Sequence, residues 1–174
     1  MTSSAGEDGR VSADREVVIR WGIEDDDAAL LRIERTSWSP ESGFPSYLEG
    51  LGDRFFERTG PESHLIAECA GVVVGYLRLQ DKYQFREGNG VLAVNGLAVA
   101  PEARGRGVAA ALLAAAAYEG RRRDARKISL NVHSTNLVAR RLYERHGYVV
   151  EGTLADEFVI DGRPIAALVM AKTL

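Results

Sequence analysis

A single cysteine, Cys69, stands in the 174 residues, so no intrachain disulfide can form and no thiolate-based zinc site can be built. Its setting, "LIAECAG", suits a buried small hydrophobe better than an exposed nucleophile. The three histidines, His64, His133 and His146, lack metal-ligand spacing, and no metal is expected. No apolar run approaches the ~20 residues of a membrane span, and the opening "MTSSAGEDGRVSADRE" lacks a basic-then-apolar signal order. A cytoplasmic protein without membrane association is expected. A basic excess is missing as well. The net charge is −3, from 22 basic and 25 acidic residues, which argues against a nucleic-acid partner.

What is present is an ordinary globular balance of 45% hydrophobic and 27% charged residues. A chain of this length buries enough surface to fold without a metal or disulfide staple. Residues 1–15, rich in Ser, Gly, Asp and Glu, are expected to form a disordered tail, and residues 16–174 a single domain.

"VVIRW" predicts a first strand and "EDDDAALLRIERTSW" a helix, its carboxylates suited to the positive end and Leu30, Leu31, Ile33 and Glu34 continuing at helical spacing. Asp25, Asp26 and Asp27 therefore read as a cap rather than a cation site. "YLEGLGDRFFERT" predicts a second helix, although it contains two glycines. "HLIAECAGVVVGYLRLQ" predicts two strands turning at Ala70-Gly71. "GVLAVNGLAVA" predicts another, with a bulge or close backbone approach at Asn95-Gly96. A strong helix runs from Gly107 to about Arg122. Arg121, Arg122 and Arg123 at its end read as a solvated terminus rather than a ligand patch. "KISLNVH" is a strand, and "STNLVARRLYERHG" a helix capped by Ser134, Thr135 or Asn136 and stopped at Gly147. Two long strands around Asp161-Gly162 end the chain. The pattern is an α+β or mixed α/β domain with helices over a central sheet.

The turn "ARGRG" opens the Gly107 helix directly after a strand. A helix start leaves its first N–H groups unpaired, and together with the positive helix end they attract anions, phosphate above all. Gly105 and Gly107 let such a group approach the main chain, and Arg104 and Arg106 add charge. The plain alternative is a turn and helix start with no ligand. A Walker A loop is excluded because Gly-Lys-Ser/Thr is missing. A dinucleotide fingerprint fits poorly, since Ala110 stands at the last glycine position and the turn comes late in the chain.

"LAVAPEARGRGVAAALL" closely resembles the acetyl-CoA-binding motif of the GCN5-related N-acetyltransferase (GNAT) superfamily, with core Arg/Gln-x-x-Gly-x-Gly/Ala, here Arg104-Gly105-Arg106-Gly107-Val108-Ala109. "NLVARRLYERHGYVVEG" resembles its second motif, and the C-terminal "EGTLADEFVIDGRPIAALVMAKTL" looks like members acetylating protein N-termini or small amines. The resemblance, over about residues 16–174, implies the GNAT fold, an α/β (α+β) architecture whose mixed, mostly antiparallel sheet has about six to seven strands flanked by about four helices. It implies acetyl-CoA as co-substrate and an amine acceptor, a peptide N-terminus or a small amine, attacking directly in a ternary complex. Carried over by residue, Leu97, Ala98 and Val99 bind the pantetheine arm through main-chain groups. Arg104, Gly105, Arg106, Gly107, Val108 and Ala109 cradle the pyrophosphate. Asn136 bonds the pantetheine, and Tyr143 is the acid for the departing thiolate. On the residues alone Tyr143 is a packing aromatic.

A backbone N–H near 97–99 would stabilise the oxyanion. The base is the gap, because "VNG" holds no carboxylate where those family members that use a glutamate often carry it. His133, Glu68 and a water chain are the candidates. Neutralising a lysine of pKa about 10.4 at pH 7 costs roughly 4–5 kcal/mol, an α-amine of about 7.7–8.0 only about 1–1.5 kcal/mol, so a site without a strong base favours the latter. "SWSPESGFPSYLEG" and the hairpin carboxylates Asp156, Glu157 and Asp161 border the acceptor, the carboxylates reading more simply as exposed polar groups. The competing class is a non-catalytic acyl-CoA sensor or interaction module on the same scaffold. Monomer and homodimer both remain open.

Overall fold

Short β-branched runs separated by glycine turns build one sheet here, and the turns set its register. In the computed structural model, which describes residues 16–39, 42–57 and 59–174, it has seven strands. They are β1 (Val17–Trp21), β2 (His64–Cys69), β3 (Val72–Asp81), β4 (Val91–Val99), β5 (Lys127–His133), β6 (Val149–Ile160) and β7 (Arg163–Thr173). The spatial order is β1-β2-β3-β4-β5-β7-β6. Only β4 and β5 run parallel; every other pair is antiparallel. The hairpins at Ala70-Gly71 and Asp161-Gly162 both turn on two residues of positive φ, 50° and 75° in the first, 50° and 73° in the second. That backbone twist matches the strands it joins. The expected tail lies outside the described residues.

Four α-helices lie among the described residues: α1 (Asp27–Ser37), α2 (Pro45–Glu49), α3 (Val108–Arg122) and α4 (Leu137–Arg145). The second predicted helix is a correction. α2 ends at Gly50, and Phe55–Glu57 is only a 3₁₀ turn, because Gly50 and Gly52 interrupt the run. Of the acidic triple, Asp26 does cap, at the 3₁₀ turn Glu24–Asp26 just ahead of α1, and it is held by Arg20 as well. Asp26, buried, accepts Arg20 through both carboxylate oxygens at 2.7 and 2.6 Å and the Ile23 N–H at 2.9 Å. Asp27 accepts the Phe55 and Phe56 N–H groups, tying α1 to the 3₁₀ turn.

Alternation along the strands assigns the two faces. A Cβ at Gly75 would lie 3.2 Å from Val108 Cγ1, so odd positions of β3 face α3. Tyr76 donates to Glu34 of α1, so even positions face α1. Leu92, Ile128 and Leu174 meet α3 around Gly120, where the missing side chain lets helix and sheet approach. α4 stands on this same face, since Lys172, partnered with Ile128 across β5 and β7, donates to His146 O at 2.8 Å.

The arginine triple is a structural helix end. Buried Glu119 accepts Arg122 at 2.7 and 2.8 Å and Arg123 at 2.7 Å, and Arg123 also lies 5.2 Å from the centre of the Trp21 ring. Hydrogen bonding from Arg122, with help from Arg123, holds the Glu119 carboxyl down at about 2. A carboxyl depressed on folding stabilises above its unfolded value of about 4.3 and loses that contribution as pH falls toward the folded one. Both arginines are partly solvated, which limits the effect to about 1 kcal/mol. Glu119→Gln is expected to lower stability by that amount at pH 7 and to flatten the loss of stability between about pH 4.3 and 2, as read by urea unfolding across pH.

Candidate active site

The parallel pair β4 and β5 is joined only from Val91–Lys127 to Val94–Leu130. Beyond this, β4 continues to Val99 on β3, while β5 continues to His133 on β7, so the two part and leave a gap. The bulge expected at Asn95-Gly96 starts the parting: Leu77 pairs with Leu97 but Leu79 with Val94, so β4 carries one residue more than β3, and Gly96 has φ +142°. After the bulge, Ala100 N–H bonds Val74 O at 2.8 Å. By alternation Ala98 also directs its polar main-chain groups to β3, while Leu97 and Val99 direct theirs into the gap. Of the three residues carried over for the pantetheine arm, the two that offer main-chain groups there are Leu97 and Val99.

α3 starts just past the parting end of β4. Gly107 is its N-cap at φ +80°, Gly105 has φ +73°, and a Cβ on either meets no protein atom within 4 Å. Gly107 has no side chain with which to cap α3, and the first backbone bond of the helix is Ala111 N–H to Gly107 O at 2.9 Å. The N–H groups of Val108, Ala109 and Ala110 precede that bond and point out of the helix end. This is an anion cradle of main chain with room before it. Arg104 enters it differently from expectation. Its guanidinium bonds Val99 O at 3.3 Å and Ser37 O at 3.0 Å, so it braces α1 to the end of β4. Arg106 lies exposed in the turn.

α4 starts just past the other parting strand. Asn136 is its N-cap, with Oδ1 accepting Ala139 N–H at 3.1 Å, which leaves the Nδ2 amide as donor. Tyr143 lies two turns further on the same helix and is buried, its ring 5.8 Å from that of Tyr148. Burial pushes the Tyr143 phenol up to about 12. Tyr148 is raised too, by burial first and then by Tyr143, and its hydroxyl is buried without a hydrogen-bond partner among the described residues. The α3 and α4 starts therefore flank the open end of the gap with Leu97 and Val99 between them.

His133, at the end of β5, is on the opposite face. It is buried, with its ring 4.8 Å from Phe44 and 5.5 Å from Phe158, and Nδ1 has no partner among the described residues. It is thus on the α1 side, away from Tyr143. Glu68 is removed from candidacy as the base, since it sits on β2 at 2.6 Å from Arg20, two strands from the gap's nearer wall. Asp156, Glu157 and Asp161 are exposed on β6 and its hairpin. Glu34 was passed over by sequence reasoning. Its buried carboxylate accepts Tyr47 Oη at 2.8 Å and Tyr76 Oη, and Tyr76 lies against Gly96, its Cε2 3.4 Å from where a Cβ there would stand. Its signal was a glutamate in line with Leu30, Leu31 and Ile33, where solvent-facing charge has no place.

The Acetyltransferase (GNAT) family model matches residues 28–148. The chain belongs to the GNAT acetyltransferase family. No curated protein sequence matches it. Among solved structures, ribosomal-protein-alanine N-acetyltransferase from Brucella melitensis is similar at 27% identity and TM-score 0.73, over 90% of this chain and 99% of that one. A proposed acetyltransferase from Salmonella typhimurium, solved with its cofactor acetyl-CoA, is similar at 22% identity and TM-score 0.70, over 91% of this chain and 94% of that one. The ribosomal-protein-S18-alanine N-acetyltransferase from Escherichia coli is similar at 19% and 0.68, over 91% and 94%. The seven-stranded mixed sheet and four helices are the GNAT fold, and the acetyl donor of GNAT enzymes is acetyl-CoA.

The room before Gly105 and Gly107 and the N–H groups behind them fit the pyrophosphate of that donor. Gly107→Ala is expected to weaken acetyl-CoA binding at least tenfold by calorimetry. An L-residue at positive φ also costs about 1–2 kcal/mol of strain, so Gly162→Ala, at φ +73° in a remote hairpin, is the control. It is expected to lose similar stability and keep the wild-type affinity.

Proposed function

We propose that residues 16–174 act as one acetyl-CoA-dependent N-acetyltransferase domain, moving the acetyl group to a primary amine by direct attack in a ternary complex. The acceptor is a protein N-terminus or a small-molecule amine. The observation carrying this reading is the β4–β5 gap with the unpaired N–H groups of α3 at its mouth. Bound acetyl-CoA supplies the activated acetyl group. The N–H groups of Val108, Ala109 and Ala110 hold its phosphates. Leu97 and Val99 bond the pantetheine arm through the main chain, and Asn136 donates its Nδ2 to it. A backbone N–H at Leu97 meets the negative charge that builds on the thioester oxygen.

Tyr143 gives its proton to the leaving sulfur. With the phenol held at about 12 it stays protonated through the working range and is available at every turnover. β4 offers no carboxylate as base, so the amine's proton leaves through water or through His133 on the acceptor face. A site of that kind works best on an α-amine, which is partly neutral near pH 7. The likeness to the Brucella ribosomal-protein-alanine enzyme supports a protein N-terminus as one such acceptor. CoA release measured across amines and peptides, beside acetyl-CoA binding, tests the whole reading. Tight binding with no turnover for any acceptor would favour a non-catalytic acyl-CoA sensor.

Tyr143→Phe is expected to lower kcat by about 10²–10⁴-fold while the acetyl-CoA Kd changes less than about threefold. In the wild type, Tyr143 should cause no fall in kcat below about pH 11, because its raised value keeps the acid form. On an α-amine, kcat/KM should rise with an apparent pKa of about 8, the acceptor's own, and move down with amines of lower pKa. His133→Ala should leave that profile in place; a profile that does not move with the acceptor and is lost with His133 would assign the base to that residue instead.

A further inference from the structure

The face of the sheet that carries His133 has a second feature next to the gap. Lys82, just past the end of β3, and Ala93, Asn95, Ser129, Leu130 and Asn131 of β4 and β5 line an open cleft. The Lys82 side chain is exposed but lies along the sheet. Its Nζ donates to Ser129 Oγ at 3.0 Å, a residue only 1% exposed, and lies 5.6 Å from the centre of the Tyr83 ring. An ammonium has three donors, and a hydroxyl and a ring face leave it short of an anion. Arg78, two pleats along the same face of β3, donates through Nε and Nη2 to Gln80 Oε1 at 3.0 and 2.7 Å. Among the described residues no carboxylate forms an ion pair with either cation. Asn95 and Asn131 are exposed across the cleft.

The position of this cleft gives it a chemical meaning. Asn95 is adjacent in the chain to Gly96, the bulge residue, and neighbouring Cα atoms are about 3.8 Å apart. A group bound between Lys82, Asn95 and Asn131 is therefore within reach of an amine at the gap. One fixed ammonium and two amides suit a planar carboxylate, which accepts up to about four hydrogen bonds. We propose that this cleft binds a carboxylate carried by the acceptor close to its reacting amine, an assignment that rests on the N-acetyltransferase reading above. Two acceptors supply that chemistry, a free α-amino acid through its α-carboxylate and a polypeptide through an acidic first side chain.

The test compares paired acceptors by CoA release at saturating acetyl-CoA. One arm sets L-amino acids against their primary amides. The other sets short peptides beginning with Asp or Glu against the same peptides beginning with Asn or Gln. The expected result is an advantage of at least tenfold in kcat/KM for the carboxylate member in one arm, expressed in KM. The arm that shows it identifies the source. Lys82→Met, which keeps the aliphatic stem, should bring that ratio close to one. Asn131→Asp, a polar change at an exposed site, should invert it. Equal use of both members in both arms, or a ratio that survives Lys82→Met, overturns the carboxylate site while leaving the N-acetyltransferase reading intact. An absence of CoA release with any amine overturns that reading, and this assignment with it.

Discussion

The governing constraint is the hydrogen-bond accounting of β4. Every backbone N–H and C=O must find a partner, and an interior strand ordinarily finds them in its two neighbours. β4 keeps β3 along its length but shares only Val91 to Val94 with β5. The inserted residue at Asn95-Gly96 re-aims the last third of the strand, and Leu97 and Val99 are left facing the gap. One of these groups is met internally, since Val99 O accepts both Arg104 Nε and Ser37 Oγ at 3.3 Å. A missing stretch of ladder thereby becomes a row of ligand-ready groups between two helix starts.

The sheet also divides labour between its faces. Tyr143, α3 and α4 occupy one, and His133, α1 and the Lys82 cleft the other. In the proposed reaction, an amine arriving from the α1 side and a sulfur leaving toward Tyr143 would meet only through the gap. Proton removal and proton delivery would then belong to different groups, and the absence of a carboxylate on β4 would leave the Tyr143 side untouched. Phe44 matters to this division. Its ring sits 4.8 Å from His133 and 4.7 Å from Phe158, so it ties the segment before α2 to β5 and β6 on the α1 side.

Most of the fold was legible because its cues are local. The two hairpin turns, the glycine that stops α4 and the bulge glycine each require a backbone conformation that names itself in the sequence. The α3 cradle was legible for the same reason, being made of main chain. The rest depended on distance. Nothing in "RGRG" tells that Arg104 reaches back to Ser37, or in "EDDD" that Asp26 answers Arg20 as well as a helix start. Glu34 and Lys82 were hidden because their partners, Tyr76 and Ser129, are 42 and 47 residues away in the chain. Glu68 looked near the site by sequence order, and strand order put it at Arg20 instead.

A cradle of peptide groups has one further consequence, and it concerns inheritance. Side chains can be exchanged at Leu97, Val99, Val108 and Ala109 without removing an N–H, provided the glycines keep their backbone angles. The face proposed for the acceptor is made of side chains, Phe44, Lys82, Asn95, Asn131 and His133, each a single codon from something different. Drift on one half of such a molecule leaves the other half working. A lineage built this way can change what it modifies while the modifying reagent stays the same.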